Sequence, residues 1–478
     1  METIPAAMAA AAHRFGDAEA LVDGPVRLSW RQLHHQVRTF AGALFADGIR
    51  PGDGVAVCAP NSHHWVIAAL GALHTGATLV PVNTRFTAAE TADLLTRSHA
   101  KALVVARDFL GRDRLAELDE TPPVVVEVPW PERSVEPIDV EVKPDDLSDV
   151  LFTSGTTGRS KGVMSAHRQA LGVARAWAEL GGLTDSDRYL VINPFFHSFG
   201  YKAGILACVL TGATIVPQAT FDVPAAMRLI ETERITVLPG PPTIYQTMLD
   251  HPDRARLDLS SLRLAVTGAA TVPVVLIERM RTELRFDTVL TAYGLTEAVV
   301  ATMCRPADDP HTIAHTCGRA AAGFELCIAE TGEVLLRGEN VMLGYLDDPA
   351  ATAATVDEDG WLHTGDIGRL DERGYLTITD RLKDMYISGG FNVYPAEVEQ
   401  ALARLRGVAE SAVVGVPDER MGEVGRAYVI RNDQGLSTED VLAHCRQELA
   451  NYKIPREVEF RDALPRNASG KVLKRELR

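Results

Sequence analysis

Short apolar runs alternate with longer segments of helical spacing over the first third of the chain. The apolar runs, each of strand length, are residues 55–58, 77–82 and 102–106. The segments that we predict to be helical are residues 1–12, 65–73 and 87–98. Strands that alternate with helices are typical of βαβ units, whose strands are parallel and buried on both faces. We therefore predict an α/β fold with a parallel sheet.

The same alternation resumes at about residue 149, after a stretch at 117–144 that is rich in Pro, Glu and Val. That stretch has no helical period, and we predict an irregular connection with edge strands there. Further apolar runs predict buried strands at residues 190–192, 214–216, 235–238 and 264–266. Residues 334–338 and 375–378 predict antiparallel β structure instead.

The pattern changes after Asp380, where the sequence predicts a compact α+β unit. Pro395 opens a predicted helix over residues 395–405, because proline is tolerated in the first helical turn. Strands are predicted at residues 411–416 and 427–430. Ser437 can cap a last predicted helix that ends at residue 449.

Composition and charge exclude some classes of function. The chain has 478 residues, of which 46% are hydrophobic and 23% charged, enough for a large core and more than one domain. Its formal net charge is −16. Because a phosphate backbone requires a basic footprint, so acidic a chain is a poor candidate for nonspecific nucleic-acid binding. We interpret the acidity as a contribution to solubility.

The cysteines lack the paired spacing of a disulfide framework or a zinc site. They are Cys58, Cys208, Cys304, Cys317, Cys327 and Cys445. Scattered thiols of this kind fit a reducing cytosol, so we expect a cytoplasmic protein. His311, His315 and Cys317 lie close together, but no second ligand pair follows them, which disfavours a metal site. We expect no signal peptide, membrane span or peroxisomal signal.

A polar loop directly follows the apolar run at residues 150–152. Residues 153–162 read TSGTTGRSKG, with three glycines, five hydroxyl side chains, Arg159 and Lys161. Glycines let the backbone approach an anion, backbone N–H groups can surround it, and a lysine adds a positive charge. The spacing is not that of the Walker pattern. The loop alone favours a phosphate site over the alternative, a solvated turn.

Five further stretches combine titratable side chains with glycine or aromatic residues. They are residues 193–200 (NPFFHSFG), 291–297 (TAYGLTE), 360–366 (GWLHTGD), 380–390 (DRLKDMYISGG) and 465–471 (PRNASGK). Each has a purely structural alternative. Lys471 alone fits a solvated lysine, Asp366 a turn residue and His197 a core histidine.

Together with the loop, these stretches resemble, in order and spacing, the adenylate-forming superfamily of acyl-CoA synthetases, peptide-synthetase adenylation domains and beetle luciferases. The resemblance covers nearly the whole chain. It implies a large N-terminal domain of stacked parallel-type sheets with helices and a β-subdomain at residues 1–382. It also implies a hinge at Lys383 and a small mobile C-terminal α+β domain at residues 384–478. ATP, Mg²⁺ and CoA are the implied ligands.

The resemblance assigns roles to individual residues. ATP and AMP would be bound by Thr153, Ser154, Gly155, Thr156, Thr157, Gly158, Lys161, Gly268, Ala269, Ala270, Ala292, Tyr293, Gly294, Thr296, Asp366, Arg381 and Lys471. Within this set Tyr293 would stack on adenine, and Asp366, assisted by Arg381, would bind the ribose hydroxyls. The catalytic residues would be Lys471, His197, Thr153 and Glu297, with Glu297 as the Mg²⁺ ligand.

The implied reaction has two halves. A carboxylate attacks the α-phosphate of ATP to give an acyl-adenylate, and Lys471 neutralises the anions that meet. A thiol then displaces AMP. Rotation about Lys383 would replace Lys471 with Ser388, Gly389 and Gly390, which would admit the arm of CoA.

Two positions depart from the superfamily's usual pattern. Ser160 stands where proline usually precedes the lysine of the loop, which is expected to loosen the loop slightly. Residues 268–271 read GAAT where GGAP is usual, so the adenine pocket would be slightly fuller.

The segment around Phe196 and His197 bears on the substrate. Amino-acid-activating domains usually carry an aspartate there, so its absence favours an acid without an α-amine. We expect no carrier domain after Lys471, which favours CoA as acceptor, and a homodimer is a family-level expectation. The acyl pocket would include Phe196, His197, Tyr201 and Lys202.

Residues 193–205 (NPFFHSFGYKAGI), 238–245 (LPGPPTIY), 266–272 (VTGAATV) and 391–398 (FNVYPAEV) are similar to actinobacterial ligases of steroid-ring catabolism. Those enzymes activate the propanoate side chain of a bicyclic indanedione. A medium- or long-chain fatty acid is the alternative substrate. An enzyme that loads a separate carrier protein and a noncatalytic adenylate binder are the alternative functions.

Overall fold

The structure is a computed structural model that describes residues 2–131, 133, 135–153, 160–268, 272, 274–381, 384–388, 391–418, 421–449, 451–466 and 472–478. Tertiary contacts divide the chain into two compact units. The first unit comprises Met1–Glu325 and Leu336–Leu362, and the second comprises Leu326–Leu335 and His363–Arg478. The predicted hinge, Lys383, lies outside the described residues, and the predicted domain boundary there stays a prediction.

A helix lies close to each of the five positions where the sequence predicts one, and the structure adds helices that were not predicted. They are α1 (Ile4–Phe15), α2 (Trp30–Ala46), α3 (His63–His74), α4 (Ala88–Arg97), α5 (His167–Gly181), α6 (Ala207–Thr211), α7 (Val223–Thr232), α8 (Pro242–Asp250), α9 (Val274–Thr282), α10 (Pro310–His315), α11 (Pro349–Ala353), α12 (Pro395–Ala403) and α13 (Thr438–Glu448). A π-helical segment, Phe199–Leu206, leads directly into α6. No helix among the described residues is long and apolar enough to cross a lipid bilayer.

The strands, in chain order, are β1 (Glu19–Asp23), β2 (Val26–Ser29), β3 (Gly54–Cys58), β4 (Thr78–Pro81), β5 (Ala100–Ala106), β6 (Asp108–Phe109), β7 (Arg112–Asp113), β8 (Val124–Val128), β9 (Leu147–Thr153), β10 (Lys161–Ala166), β11 (Arg188–Val191), β12 (Thr214–Pro217), β13 (Leu264–Gly268), β14 (Thr288–Tyr293), β15 (Thr302–Met303), β16 (Arg319–Ala320), β17 (Glu325–Ile328), β18 (Glu333–Arg337), β19 (Gly344–Tyr345), β20 (Leu362–Leu370), β21 (Leu376–Arg381), β22 (Tyr386–Ser388), β23 (Phe391–Val393), β24 (Val408–Asp418), β25 (Gly422–Arg431) and β26 (Glu457–Phe460).

A seven-stranded sheet in the first unit has the order β19-β10-β9-β4-β3-β5-β8. Its central pairs are parallel, as the βαβ pattern predicts. β10 is antiparallel to β9, so the chain reverses directly between these two strands. β8, which comes from the irregular stretch at 117–144, pairs at the edge of the sheet as expected.

Two further sheets of the first unit have the orders β11-β12-β1-β2 and β13-β14-β15-β16. The strand predicted at residues 235–238 is reduced to a bridge, in which Val237 pairs in parallel with Tyr189 and Leu264. Pro239, Pro241 and Pro242 follow at once, and prolines cannot donate to a strand ladder. The apolar run therefore forms an extended segment without a regular strand, and this prediction was wrong.

The core of the first unit lies between these sheets and the helices that cover them. Its largest fully buried side chains include Trp30, Trp65, Trp177 and Tyr189. Helix ends are closed by side chains, as at α4, where Thr87 and Glu90 form a capping box. The core and the helix ends of this unit thus follow from apolar and capping residues that can be recognised in the sequence.

The second unit is mainly antiparallel. One sheet has the order β17-β18-β20-β21, and another has the order β23-β22-β25-β24 with β26 paired to β25. Pro395 begins α12 and Ser437 caps α13, both as predicted. Val398, Val413 and Val441 form part of a separate apolar core. The predicted α+β character of this region is confirmed.

A buried ion pair joins the seven-stranded sheet to the π-helical segment. Lys202 Nζ lies 2.8 Å from Asp149 Oδ1, and the two side chains are 1% and 0% exposed. Lys202 also donates to Ser165 Oγ at 2.8 Å, and Ser148 Oγ donates to Asp149 Oδ2 at 2.7 Å. Because Asp149 and Ser148 belong to β9 and Ser165 to β10, the pair fixes both strands of the hairpin to one helix.

Replacing Lys202 by methionine is expected to lower the free energy of unfolding by about 3–5 kcal/mol, because Asp149 stays buried without its cation. In Asp149→Asn/Lys202→Met the loss is expected to be smaller, since no lone charge remains. Chemical denaturation of both variants measures the difference. Equal losses in the single and double variants would contradict the importance of the pair.

Candidate active site

The predicted phosphate loop connects the two strands of a β-hairpin. Thr153 ends β9 and stands opposite Lys161, the first residue of β10. Thr153 Oγ1 donates to the Lys161 carbonyl at 3.4 Å. The predicted ligands Ser154, Gly155, Thr156, Thr157 and Gly158 lie outside the described residues. Because β9 is parallel to β4, the loop starts at the carboxyl edge of the parallel strands, where α/β proteins commonly bind ligands.

Tyr345 connects the lysine of this hairpin to the predicted metal-binding carboxylate. Lys161 Nζ lies 4.5 Å from the centre of the Tyr345 ring. The Tyr345 hydroxyl donates to Glu297 Oε1 at 2.7 Å. Burial and the neighbouring Glu297 carboxylate raise the pKa of Tyr345, so its hydroxyl stays protonated and donates. Sequence reasoning missed Tyr345, because its partner Glu297 is 48 residues away.

The loop that carries Thr296 and Glu297 is held tightly after β14. A Cβ atom on Gly294 would lie 1.8 Å from the Val299 carbonyl oxygen, so only glycine fits there. Val299 itself has φ 58°, a strained conformation for a β-branched residue. The Met342 N–H donates to the Glu297 carbonyl at 2.8 Å. Backbone contacts therefore fix the loop on both sides of the carboxylate.

The two predicted adenine-binding segments meet at the ends of neighbouring strands. Gly268 ends β13 and pairs in parallel register with Ala292 on β14. A Cβ atom on Gly268 would approach the Ala292 carbonyl oxygen to 2.3 Å. Tyr293 follows and is half-buried, whereas Ala269 and Ala270 lie outside the described residues. The structure thus brings Gly268, Ala292 and Tyr293 to one edge of the sheet.

Asn61, which sequence reasoning did not single out, holds the predicted acyl segment by hydrogen bonds to its backbone. Asn61 Oδ1 accepts from the Phe195 N–H at 2.8 Å, and Asn61 Nδ2 donates to the Asn193 carbonyl at 2.9 Å. Phe196 is half-buried. Tyr201 and Lys202 lie in the core, where Lys202 already pairs with Asp149. The acyl-pocket assignment of these residues stays a prediction.

His197 is accessible to solvent, yet desolvation by the surrounding protein lowers its pKa. The Phe199 N–H donates to His197 Nδ1 at 3.2 Å. That contact leaves the proton of the neutral imidazole on Nε2, as a donor. No described residue accepts from Nε2.

In the second unit, Asp366 lies on β20 and is 4% exposed. It stands opposite Arg381 on β21, whose side chain lies outside the described residues. The preceding turn is fixed by Glu333, which accepts from the Gly365 N–H at 2.8 Å and contacts His363 Nδ1 at 2.9 Å. Glu333 is another residue that the motif alone did not reveal.

The remaining assignments fall on the C-terminal part of the chain. Lys471, Lys383, Gly389 and Gly390 lie outside the described residues. Ser388 ends β22, pairs with Phe391 on β23 and is 4% exposed. The hinge, the CoA contact and the catalytic lysine therefore stay predictions.

The donor set around Glu297 fits Mg²⁺. Mg²⁺ binds one or two carboxylates and takes its other ligands from water and substrate phosphates. Glu297 is partly exposed, and Tyr345 occupies only its Oε1. The described residues contain no group of three or more His, Cys, Asp or Glu side chains that could hold a metal ion without such help. All six cysteines are free thiols.

Comparisons with known proteins extend over both units. A family model described as "AMP-binding enzyme" matches residues 8–346, and one described as "AMP-binding enzyme C-terminal domain" matches residues 397–471. The chain is 61% identical to the 3-[(3aS,4S,7aS)-7a-methyl-1,5-dioxo-octahydro-1H-inden-4-yl]propanoyl:CoA ligase of Rhodococcus jostii (strain RHA1), over 100% of this chain and 98% of that protein. It is 58% identical to the ligase of the same name from Mycobacterium tuberculosis (strain ATCC 25618 / H37Rv), over 100% and 99%.

A solved structure shares the fold. The o-succinylbenzoate CoA synthetase from Bacillus subtilis, in complex with its acyl-adenylate intermediate, matches with a TM-score of 0.88 and 29% identity. The match covers 98% of this chain and 97% of that chain. The α/β fold predicted from the motifs is therefore confirmed.

Variants of Tyr345 separate its two contacts. Tyr345→Phe keeps an aromatic face beside Lys161 and removes the donor to Glu297, whereas Tyr345→Leu removes both. Without Mg²⁺, we expect the Phe variant to bind ATP as tightly as the parent and the Leu variant about two- to fivefold more weakly. With Mg²⁺, the Phe variant is expected to gain less affinity than the parent. Calorimetric titration with and without Mg²⁺ measures both effects.

Thermal unfolding of the two variants serves as the control, because Tyr345 is 5% exposed and its truncation also costs packing. If the Leu and Phe variants bound ATP alike in both conditions, the aromatic contact with Lys161 would have no role in phosphate binding.

Proposed function

The chain belongs to the family of AMP-binding enzymes and is an ATP-dependent, AMP-forming acyl-CoA synthetase, and we propose that its acid is the bicyclic indanedione propanoate of steroid-ring catabolism. One observation carries the substrate assignment: over its full length the chain is 61% identical to a ligase that is named for the CoA thioester of that acid. The similarity of residues 193–205 and 238–245 to such ligases supports it.

The first half-reaction is a displacement at phosphorus. A carboxylate oxygen attacks the α-phosphorus of ATP, the acyl-adenylate bond forms, and the bond to pyrophosphate breaks. Two anions meet in this step, so cations must neutralise both. We assign Lys471 to the carboxylate and α-phosphate, and Thr153 and Lys161 of the hairpin to the β- and γ-phosphates. Mg²⁺ held by Glu297 would supply further positive charge on the phosphate oxygens.

The adenosine part of the nucleotide is assigned to residues that the sheets present at their edges. The pairing of Gly268 with Ala292 supports a flat pocket floor beside Tyr293, the proposed stacking ring. Thr296 is assigned to the phosphate. The fixed turn before Asp366 supports its assignment to the ribose hydroxyls, with Arg381 as its neighbour in register.

In the second half-reaction the sulfur of CoA attacks the acyl carbonyl carbon, the thioester forms and AMP leaves. We assign Ser388, Gly389 and Gly390 to the passage of the CoA arm and Lys383 to the hinge. Phe196, His197, Tyr201 and Lys202 are assigned to the acyl side. The neutral His197, with its donor on Nε2, suits an oxygen of the acid or of the adenylate.

A cytoplasmic location and a homodimer complete the proposal. The free thiols support a reducing compartment.

Lys471→Ala is expected to lower adenylation at least about a hundredfold, because the cation at the α-phosphate is lost. Thioester formation from a supplied acyl-adenylate is expected to continue nearly unchanged. Acid-dependent exchange of pyrophosphate into ATP measures the first half, and single-turnover release of AMP with CoA measures the second. Equal loss of both would contradict the assignment of Lys471 to the first half alone.

A panel of acids tests the substrate. The indanedione propanoate is expected to exceed fatty acids of graded length by about tenfold or more in kcat/KM, because a fused bicycle and a flexible chain fit pockets of different shape. A profile that peaks on fatty acids would replace the proposed substrate with that class. Exchange without thioester formation on free CoA would indicate a carrier-loading enzyme, and no exchange with any acid a noncatalytic binder.

A further inference from the structure

We propose that Arg97, at the end of α4, is a positioning residue that holds the neck of the phosphate hairpin and so sets the affinity for the β- and γ-phosphates of ATP. The inference rests on the assignment of residues 153–162 to those phosphates. It concerns a residue outside every motif of the chain.

Arg97 contacts both strands of the hairpin where they leave the sheet. Its Nη1 donates to the carbonyl of Ser160, directly before Lys161, at 2.8 Å. Its guanidinium carbon lies 5.2 Å from the centre of the Phe152 ring. Phe152 pairs with Gly162 in the β9–β10 register, one step below the pair of Thr153 and Lys161. One side chain therefore touches the outgoing strand just before the Thr153–Lys161 pair and the returning backbone just beyond it.

The guanidinium is itself held in place. Asp93, one turn earlier on α4, lies 3.2 Å from Arg97 Nη1, and the Arg97 side chain is 23% exposed. A charged donor in so sheltered a position makes a stronger hydrogen bond than a neutral one. The capping box at Thr87 fixes the other end of this short helix.

The contact gives Ser160 a structural context. Proline at this position would restrict the backbone before Lys161 through its ring. Serine provides no such restriction, so the peptide between Ser160 and Lys161 is oriented from outside, by the donor on Arg97. The direction in which Lys161 leaves the strand depends on that peptide. Loss of the donor is thus expected to disorganise the lysine without removing it.

The two half-reactions distinguish this role from a general structural one. The β- and γ-phosphates leave as pyrophosphate after the first half. Arg97 should therefore matter for ATP binding and adenylation, and not for transfer of a preformed acyl-adenylate to CoA. In Arg97→Ala we expect the KM for ATP to rise about tenfold, with the KM for the acid unchanged.

The experiment compares four proteins: the parent, Arg97→Ala, Ser160→Pro and the double variant. Each is assayed by pyrophosphate exchange for adenylation, by single-turnover thioester formation from supplied acyl-adenylate, and by equilibrium titration with ATP. If Arg97 orients the Ser160 peptide, proline restores part of that order, and Arg97→Ala costs less ATP affinity in the Ser160→Pro background than alone.

Arg279→Ala is the matched control. Arg279 also lies in the last turn of a helix and pairs with an acid four residues away, Glu283, at 2.7 Å, but contacts neither strand of the hairpin. We expect it to leave the KM for ATP unchanged. Thermal unfolding of all variants monitors folding.

Three results would overturn the inference: an unchanged KM for ATP in Arg97→Ala, an equal loss in both half-reactions, or an undiminished effect of Arg97→Ala in the proline background. If Ser160→Pro is itself damaging, the selectivity of Arg97→Ala between the half-reactions decides. A parent enzyme without acid-dependent exchange would instead overturn the proposed function.

Discussion

The register between β9 and β10, which places Thr153 opposite Lys161, is the constraint on which the rest of the site depends. β9 runs parallel to β4, and an antiparallel partner allows the chain to return through a short loop instead of a crossover helix. The hydroxyl and the lysine are thereby held side by side at the carboxyl edge of the sheet. The buried ion pair of Asp149 and Lys202 joins both strands to a helical segment in the core, and this contact helps to fix their register.

A second feature of the candidate site is the separation of the positive charge of Lys161 from the negative charge of Glu297. A lysine and a glutamate that met directly would neutralise each other and leave little field for a ligand. Tyr345 stands between them: its ring faces Lys161, and its hydroxyl binds one oxygen of Glu297. One rigid side chain therefore positions both charged groups and keeps them from forming an ion pair with each other. Such preorganisation is what phosphate transfer requires, because its catalysis is largely positioning and electrostatics.

The sequence predicted what local patterns encode. Every apolar run predicted as a strand, except residues 235–238, overlaps a strand of the structure, and Ser437 and Pro395 marked helix starts that the structure confirms. Contacts between distant segments could not be predicted, because no local pattern shows that Arg97 meets a residue 63 positions further on, Ser160, or that Glu297 meets one 48 positions further on, Tyr345. The strand predicted at residues 235–238 was wrong for a different reason. The run has the apolar pattern of a strand, but the prolines that follow it end the ladder of backbone hydrogen bonds.

The protonation of His197 bears on the acyl side of the proposed site. Desolvation favours the neutral imidazole, and the Phe199 N–H directs its single proton to Nε2. A neutral donor can orient an oxygen of the acid without placing a second positive charge beside it. The positive charge that the carboxylate and the α-phosphate need when they meet is then supplied by the proposed Lys471 and Mg²⁺, so that the orientation of the acid and the neutralisation of the two anions are assigned to different groups.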